Sequence, residues 1–172
     1  ESVERTSNLL WQKGITNEYY HGQMEQRDRD SALCKFRNGT ANLLVTTDLA
    51  ARGLDIPNIR YIIHYHLPQT EDIYTHRNGR TARMDASGTA ILLLSPEEKL
   101  PPYIKDDIEQ IKLEGDYEIP EKPKWTTLYI PLGKKNKVNK IDIVGFLSQK
   151  GELKKDDIGL IIVATTSATH AF

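Results

Sequence analysis

Residues 74–83 read Tyr-Thr-His-Arg-Asn-Gly-Arg-Thr-Ala-Arg and lie between two apolar runs, residues 59–67 and 89–94. A helix is expected to carry this stretch, because Pro68 and the plausible N-cap Thr70 precede it and two acidic residues follow that cap. Each apolar run is continuous rather than alternating, which is typical of a parallel strand buried on both faces. Strand, helix and strand in this order predict a right-handed crossover in a parallel sheet.

The residues before this unit repeat the alternation of helices and strands. A first helix is predicted to end at Lys13-Gly14, where a basic residue and a glycine form a common stop signal. A short strand follows at residues 16–21, then a helix at residues 26–37 and a continuous apolar strand at residues 41–47. We therefore predict an α/β domain built on a parallel sheet.

The arginines of the central stretch have an unusual spacing. Arg77, Arg80 and Arg83 recur every third residue, which stacks them along one side of a helix. Three neighbouring guanidinium groups repel one another unless an anion lies among them, so the spacing indicates a phosphate site. A charged helical face is also commonly no more than a solvated surface, and spacing alone leaves both interpretations open.

A second polar loop, residues 47–57, follows an apolar strand and reads Thr-Asp-Leu-Ala-Ala-Arg-Gly-Leu-Asp-Ile-Pro. Gly53 permits close approach of the backbone, and Asp55 offers an acceptor for a sugar hydroxyl. Read alone, these residues are compatible with an ordinary helix cap and turn. Ligands of open parallel sheets bind beyond the carboxyl ends of the strands, where this loop and the arginine stretch are both expected, so together they predict one phosphate-handling edge.

Composition restricts the class of protein. The 172 residues fit one domain with a smaller second one, and 23 Lys and Arg against 24 Asp and Glu leave a net charge of −1. Nucleic-acid binding therefore has to come from local basic patches. The single cysteine, Cys34, excludes an internal disulfide and fits a reducing compartment. No long apolar run or leader is present in the sequence, and we expect a cytoplasmic protein.

The two polar loops closely resemble motifs V and VI of the DEAD-box RNA helicases. The matching segments are residues 47–55 and 76–83. A third match, His21-Gly22 followed by Gln26 and Arg29, resembles the Gln-x-x-Arg element of the family. Three motifs in the right order and spacing make the resemblance specific.

The resemblance implies a fold and a set of residue roles. Residues 1–112 would form the second RecA-like domain, the helicase C-terminal domain, with a parallel sheet and flanking helices. The catalytic arginine fingers at the γ-phosphate would be Arg80 and Arg83. The ATP-binding residues would be Gly53, Asp55, Arg80 and Arg83. The residues coupling this domain to acidic groups of the first RecA-like domain would be His76 and Arg77. Asn78 departs from the family pattern, which usually has Ile or Ser there.

RNA would be held by the same domain through its sugar-phosphate backbone. The residues implied are Gly22, Gln26, Arg29 and Thr47. Backbone contacts carry no sequence information, so this grip would not select a particular RNA sequence.

The sequence contains neither a Gly-x-x-x-x-Gly-Lys-Ser/Thr loop nor an Asp-Glu-Ala-Asp segment. The family carries both in its first RecA-like domain, and we expect further chain upstream of Glu1. The implied cofactors are ATP and Mg²⁺, with Mg²⁺ held by the first domain and no metal site in this chain. Alone, this chain is expected not to hydrolyse ATP.

The chain changes character after residue 112. Residues 113–124 are acidic and contain prolines, which is typical of a linker. From Lys124 onward, eight Lys and four Asp or Glu give a local net charge of +4. A strand is predicted at residues 126–132, a helix at residues 141–147 and a strand at residues 158–164.

The lysine-rich loop of this tail is a candidate phosphate-binding patch. Its RNA-binding candidates are Lys134, Lys135 and Lys137, although lysine runs are often only solubilising. Residues 125–172 resemble part of the RRM-like C-terminal domain of DbpA-like DEAD-box helicases. That resemblance implies structured ribosomal RNA as the partner and a role in ribosome assembly.

Two other functions stay open on sequence alone. A superfamily 2 DNA helicase would usually carry Gln in place of His76-Arg77, whereas a non-catalytic nucleic-acid-binding adaptor would have no use for groups aimed at a γ-phosphate. His64 and His66 lie two residues apart on a predicted strand, and packing or polar contacts are favoured over metal binding because no further ligand accompanies them. A helix is also expected to run to about Lys112.

Overall fold

The computed structural model describes residues 2–51, 54, 56, 59–79, 88–104, 108–130 and 132–163. Short parallel strands alternate with helices through the first part of the chain. The helices are α1 (Ser2–Gln12), α2 (Gln26–Arg37), α3 (Asp48–Ala51), α4 (Glu71–Asn78) and α5 (Lys140–Gln149). The strands are β1 (Glu18–Tyr20), β2 (Leu44–Thr46), β3 (Tyr61–His64) and β4 (Thr89–Leu92). Two 3₁₀ turns lie at Lys134–Asn136 and Lys155–Asp157.

The strands form two parallel pairs in the described part of the chain. β1 pairs with β2 in a register that places Tyr19 opposite Val45, and β3 pairs with β4 with Ile63 opposite Ile91. Each pair is joined through a helix, α2 in the first and α4 in the second, as a parallel connection requires. The predicted parallel α/β architecture is confirmed.

The first helix is fixed to the first strand by a buried polar clamp. Ser7 Oγ donates to Asn17 Oδ1 at 2.6 Å, Asn17 Nδ2 donates to the Ser7 carbonyl at 3.2 Å, and Trp11 Nε1 donates to the Asn17 carbonyl at 3.0 Å. Ser7 and Asn17 are fully buried, and buried polar groups need hydrogen-bond partners, which these two residues supply to each other. The helix stops where Gly14 adopts φ +82°, the left-handed conformation expected of the predicted stop signal.

The α4 start signal is also confirmed. Thr70 has extended backbone angles, and its hydroxyl accepts a hydrogen bond from the Ile73 amide at 3.3 Å. Glu71 and Asp72 occupy the first turn, where their charge complements the helix dipole. α4 ends at Asn78 with Gly79 as its C-cap, so only Arg77 of the three regularly spaced arginines lies within the described helix.

The prediction that the second pair of strands is buried on both faces is wrong. Exposure alternates along β3, with Tyr61 57% and Ile63 49% exposed while His64 is buried, and Ile91 on β4 is 38% exposed on the same face as Ile63. A continuous apolar run does not reveal whether both faces of a strand are covered. Here one face is covered and the other is open to solvent.

Three predicted elements of the later chain are corrected. Residues 108–112 are not helical, and the described residues of the predicted strands at 126–132 and 158–164 form no strand. Ile111 is 73% exposed, so a helix there has no packed apolar face to stabilise it. In the first of the two predicted strand segments, the Thr127 side chain contacts the turn after α2, and its hydroxyl lies 2.6 Å from the Thr40 hydroxyl. The predicted helix at residues 141–147 is confirmed within the slightly longer α5.

Trp125, which follows the linker, lies against the turn after α2 of the first domain. A Cβ placed on Gly39, which has φ +72°, would lie 3.5 Å from Trp125 Cδ1, and one on Gly159 would lie 3.2 Å from the same ring. No helix in the described part of the chain is long and apolar enough to cross a membrane.

Candidate nucleotide and RNA interface

An ion pair joins the two loops that the sequence predicted to share one edge. Asp48 begins α3 directly after β2, and Arg77 lies in the last turn of α4, the helix that follows β3. Arg77 Nε donates to Asp48 Oδ1 at 2.5 Å, and Arg77 Nη2 donates to Asp48 Oδ2 at 2.8 Å. This bidentate geometry fixes both distance and orientation. The structure therefore places the loop after β2 and the helix after β3 side by side.

Contacts within the chain occupy most of the N–H donors of Arg77. Besides the two bonds to Asp48, Arg77 Nη1 donates to the His66 carbonyl at 2.8 Å and lies 3.2 Å from His64 Nδ1. Because a guanidinium has five N–H donors, these four bonds leave one for any other partner. Sequence reasoning assigned Arg77 to acidic groups of another domain, whereas the structure also gives it a carboxylate in this chain.

His64 is the polar centre of this region, with 1% of its surface exposed. Its Nε2 lies 3.0 Å from Asn78 Oδ1, and its ring stacks on Tyr74 with centroids 5.4 Å apart. Burial, the largest effect, lowers the pKa of His64, and the neighbouring Arg77 charge acts in the same direction. The structure thus gives His64 polar contacts and packing, the interpretation favoured from sequence.

The remaining nucleotide-site residues divide into two groups. His76 is exposed on α4, next to Arg77 in the sequence. The predicted residues Gly53, Asp55, Arg80 and Arg83 lie outside the described residues.

Two of the predicted RNA-binding residues are linked on α2. Arg29 Nη2 donates to Gln26 Oε1 at 2.6 Å, and Gln26 Nε2 donates to Asp30 Oδ1 at 2.8 Å. Arg29 Nε is buried and has no hydrogen-bond partner among the described residues. An unsatisfied guanidinium donor costs free energy unless a ligand or water supplies an acceptor.

The other two predicted contacts of this domain are in loops. Gly22 is exposed, and a Cβ at that position would meet nothing within 4 Å. Thr47 is exposed too, and its hydroxyl accepts a hydrogen bond from the Ala50 amide at 3.3 Å, which caps α3. The Thr47 hydroxyl therefore already has a local role.

The lysine loop is a compact structure despite its charge. Asn136 Oδ1 accepts a hydrogen bond from the Gly133 amide at 3.1 Å, and Asn139 Oδ1 accepts from the Ile141 amide at 2.8 Å and the Asp142 amide at 3.1 Å, capping α5. The three lysines are exposed, and within the described chain their ammonium groups form no ion pair: Lys134, Lys135 and Lys137. The loop therefore presents three exposed ammonium groups.

Sequence profiles match both parts of the chain. The helicase conserved C-terminal domain matches residues 1–85, and the DbpA RNA binding domain matches residues 127–170. ATP-dependent RNA helicase DbpA from Escherichia coli is 41% identical over 151 residues, covering 83% of this chain and 33% of that protein. ATP-dependent RNA helicase mak5 from Schizosaccharomyces pombe is 43% identical over 98 residues, covering 57% of this chain and 15% of that protein.

Among solved structures, E. coli DEAD-box protein SrmB bound to regulator of ribonuclease activity A is similar at a TM-score of 0.52 and 43% identity. The similarity covers 54% of this chain and 55% of the SrmB chain. The parallel α/β fold and its two joined loops thus define a RecA-like helicase C-terminal domain. The chain belongs to the DEAD-box RNA helicases and combines that domain with a segment of the DbpA RNA-binding type.

Proposed function

We propose that this chain is the C-terminal part of an ATP-dependent RNA helicase that uses ATP hydrolysis to remodel or unwind RNA. The observation that carries the proposal is the Asp48–Arg77 ion pair, because it joins the segments that resemble motifs V and VI. The chain spans about a third or less of the length of the two curated relatives described above. The activity is therefore proposed for the full-length protein.

In this proposal the ATP site lies between this domain and a first RecA-like domain of the same protein. Arg80 and Arg83 would offset the charge that develops on the γ-phosphate, and Asp55, beside Gly53, would accept from the ribose. His76, which is exposed on α4, and Arg77 would couple the two domains. Mg²⁺ would be held by the first domain, which supplies the phosphate loop and the metal-binding carboxylates.

RNA is proposed to bind on α2 and the loops beside it. Arg29 and Gln26 are hydrogen-bonded to each other on α2. Arg29 Nε has no partner among the described residues, so this N–H would donate to an acceptor such as a phosphate oxygen. Gly22 would admit the backbone of the strand, and Thr47 would contribute from the loop after β2. We also propose structured ribosomal RNA as the target, a role in ribosome assembly and a cytoplasmic location.

The test of this function is RNA-stimulated ATP hydrolysis by the full-length protein, followed by strand displacement on matched RNA and DNA duplexes. We expect hydrolysis to require RNA and displacement to favour the RNA duplex. Hydrolysis without any response to RNA, or better displacement of DNA, would contradict the proposal. Nucleic-acid binding without hydrolysis would indicate an adaptor.

Removal of the C-terminal segment is expected to affect RNA targeting. Full-length protein truncated after Lys124 should bind structured ribosomal RNA about 10-fold more weakly and generic single strands less than about 3-fold more weakly, because its lysine loop is lost. Equilibrium binding at fixed salt measures both affinities. Truncation after residue 132 is the matched control. It also removes the lysine loop but keeps the Thr127 contact with the turn after α2, so it separates loss of the loop from loss of that contact. Equal losses on both RNAs would remove the targeting proposal.

Lys137 allows the charge of the loop to be separated from its structure. Its backbone is left-handed, with φ 60° and ψ 22°, so Lys137→Gly should keep the free energy of unfolding within about 1 kcal/mol of wild type. The same variant should reduce the slope of log affinity against log salt by about 1, because one phosphate contact is lost. Exposed Lys99→Ala is the control variant and should leave the slope unchanged. An unchanged slope for Lys137→Gly would argue against RNA contact at this loop.

A further inference from the structure

His64 lies between two residues of the last turn of α4 and uses both ring nitrogens there. Nδ1 faces Arg77 Nη1 at 3.2 Å, and Nε2 faces Asn78 Oδ1 at 3.0 Å. A guanidinium only donates, so Nδ1 has to accept and carry no proton. The Asn78 oxygen only accepts, so Nε2 has to carry the proton. The two contacts together require the neutral ring in its Nε2–H tautomer.

The surroundings favour this neutral state. Among the described residues, Arg77 on α4 is the positive group that acts on the ring and Asp48 on α3 is the negative one. Tyr74 stacks on the ring, and Tyr103 packs on Tyr74. Asp48 is engaged by Arg77 in a bidentate pair, which limits what it can offer to a protonated imidazole. A proton on Nδ1 would remove the acceptor for Arg77 and place two positive charges together.

The ring therefore connects β3 to the end of α4. His64 is the last residue of β3, whereas Arg77 and Asn78 are the last two residues of α4, followed by Gly79 and then by Arg80. A buried, stacked ring has little rotational freedom, so it fixes the two side chains it touches. Through Arg77 it also fixes Asp48 and the loop after β2.

We propose that His64, as a neutral Nε2–H imidazole, is a positioning residue that holds Arg77 and the end of α4 in place for phosphoryl transfer. The proposal rests on the proposed ATP-dependent function. His64 is not placed against the substrate. It acts through Arg77 and Asn78. Asn78, which departs from the family pattern, thereby has the role of accepting the His64 Nε2–H hydrogen bond.

Steady-state ATP hydrolysis of the full-length protein with saturating RNA tests this role. His64→Ala is expected to lower kcat about 10-fold and to change KM for ATP less than about 2-fold, because only transition-state alignment is lost. Asn78→Ala should also lower kcat, and adding it to His64→Ala should lower kcat less than about 2-fold further, because the two residues act as one unit. Multiplicative losses, or a rise in KM alone, would overturn the proposal.

Conservative variants separate the two contacts. His64→Gln can keep a donor near Asn78, and His64→Asn can keep an acceptor near Arg77, so each should recover part of the kcat lost in His64→Ala. The matched control is His66→Ala, because His66 is exposed and gives Arg77 only its backbone carbonyl. Its kcat should equal that of wild type. Recovery by neither conservative variant would contradict the proposed contacts.

A measurement without turnover distinguishes failure of this proposal from failure of the helicase function. In ¹⁵N-histidine spectra of the full-length protein, the resonance missing from His64→Gln should show a protonated Nε2 and an unprotonated Nδ1. Because burial lowers the pKa of His64, it should also titrate at a lower pH than an exposed histidine. If that signature is present but wild type shows no RNA-stimulated hydrolysis, the proposed function fails while the geometry stands. If hydrolysis is normal in both wild type and His64→Ala, the positioning role fails alone.

Discussion

Arg80→Ala in the full-length protein is expected to lower kcat for RNA-stimulated ATP hydrolysis by about 10³-fold or more. An arginine finger compensates charge that is larger on the transferring phosphoryl group in the transition state than in bound ATP. The binding of ATP should therefore stay largely intact, with a change in its dissociation constant of less than about 3-fold. Stopped-flow hydrolysis and equilibrium binding of a fluorescent ATP analogue measure the two quantities separately.

Two further variants make this result specific to the guanidinium. Arg80→Lys keeps the positive charge but not the planar fork, and should recover only a small part of the lost rate. Arg60→Ala removes an exposed arginine outside the two motifs and should hydrolyse ATP at the wild-type rate. Retained turnover in Arg80→Ala would refute the finger assignment, even if binding of ATP and RNA were normal.

The parts of the fold that could be predicted are those that short-range sequence signals specify. The α4 start follows from Thr70 and the acidic residues after it, and the α1 end follows from Gly14, because caps and left-handed glycines act within one turn. β2, β3 and β4 lie within the apolar runs that predicted strands, and β1 lies within the short strand predicted at residues 16–21. The strands predicted in the tail are absent from its described residues, since an apolar segment forms a strand only when a partner supplies hydrogen bonds.

The candidate site also has a part that the sequence predicted and a part that it did not. Sequence order placed the loop after β2 and the helix after β3 at one edge, and the Asp48–Arg77 pair joins them. The pairing of His64 with Asn78 spans 14 positions and depends on how α4 packs over β3, which no spacing rule specifies. Tertiary packing decided whether a histidine in an apolar strand would bind a ligand or support its neighbours.

Arg77→Ala is expected to lower kcat for RNA-stimulated ATP hydrolysis by about 10²-fold, a larger effect than at His64, because it releases Asp48, His64 and the His66 carbonyl together. The free energy of unfolding should fall by about 1–2 kcal/mol, since the Arg77 and Asp48 side chains are 22% and 42% exposed and solvent weakens the pair. Urea unfolding followed by ATPase kinetics measures both losses in the full-length protein.

A double-mutant cycle with Asp48→Asn decides what the Arg77 contact does. If Arg77 acts mainly by holding the loop after β2, the double variant should lose little more kcat than Arg77→Ala, whereas independent effects would multiply. Glu18→Gln is the matched control, because the Lys35–Glu18 pair is 3.0 Å long, similarly part-exposed and joins α2 to β1 away from the two loops. Its loss should appear in stability and leave kcat unchanged. A multiplicative cycle would instead place the Arg77 contribution on the remaining N–H donor and hence on the other RecA-like domain.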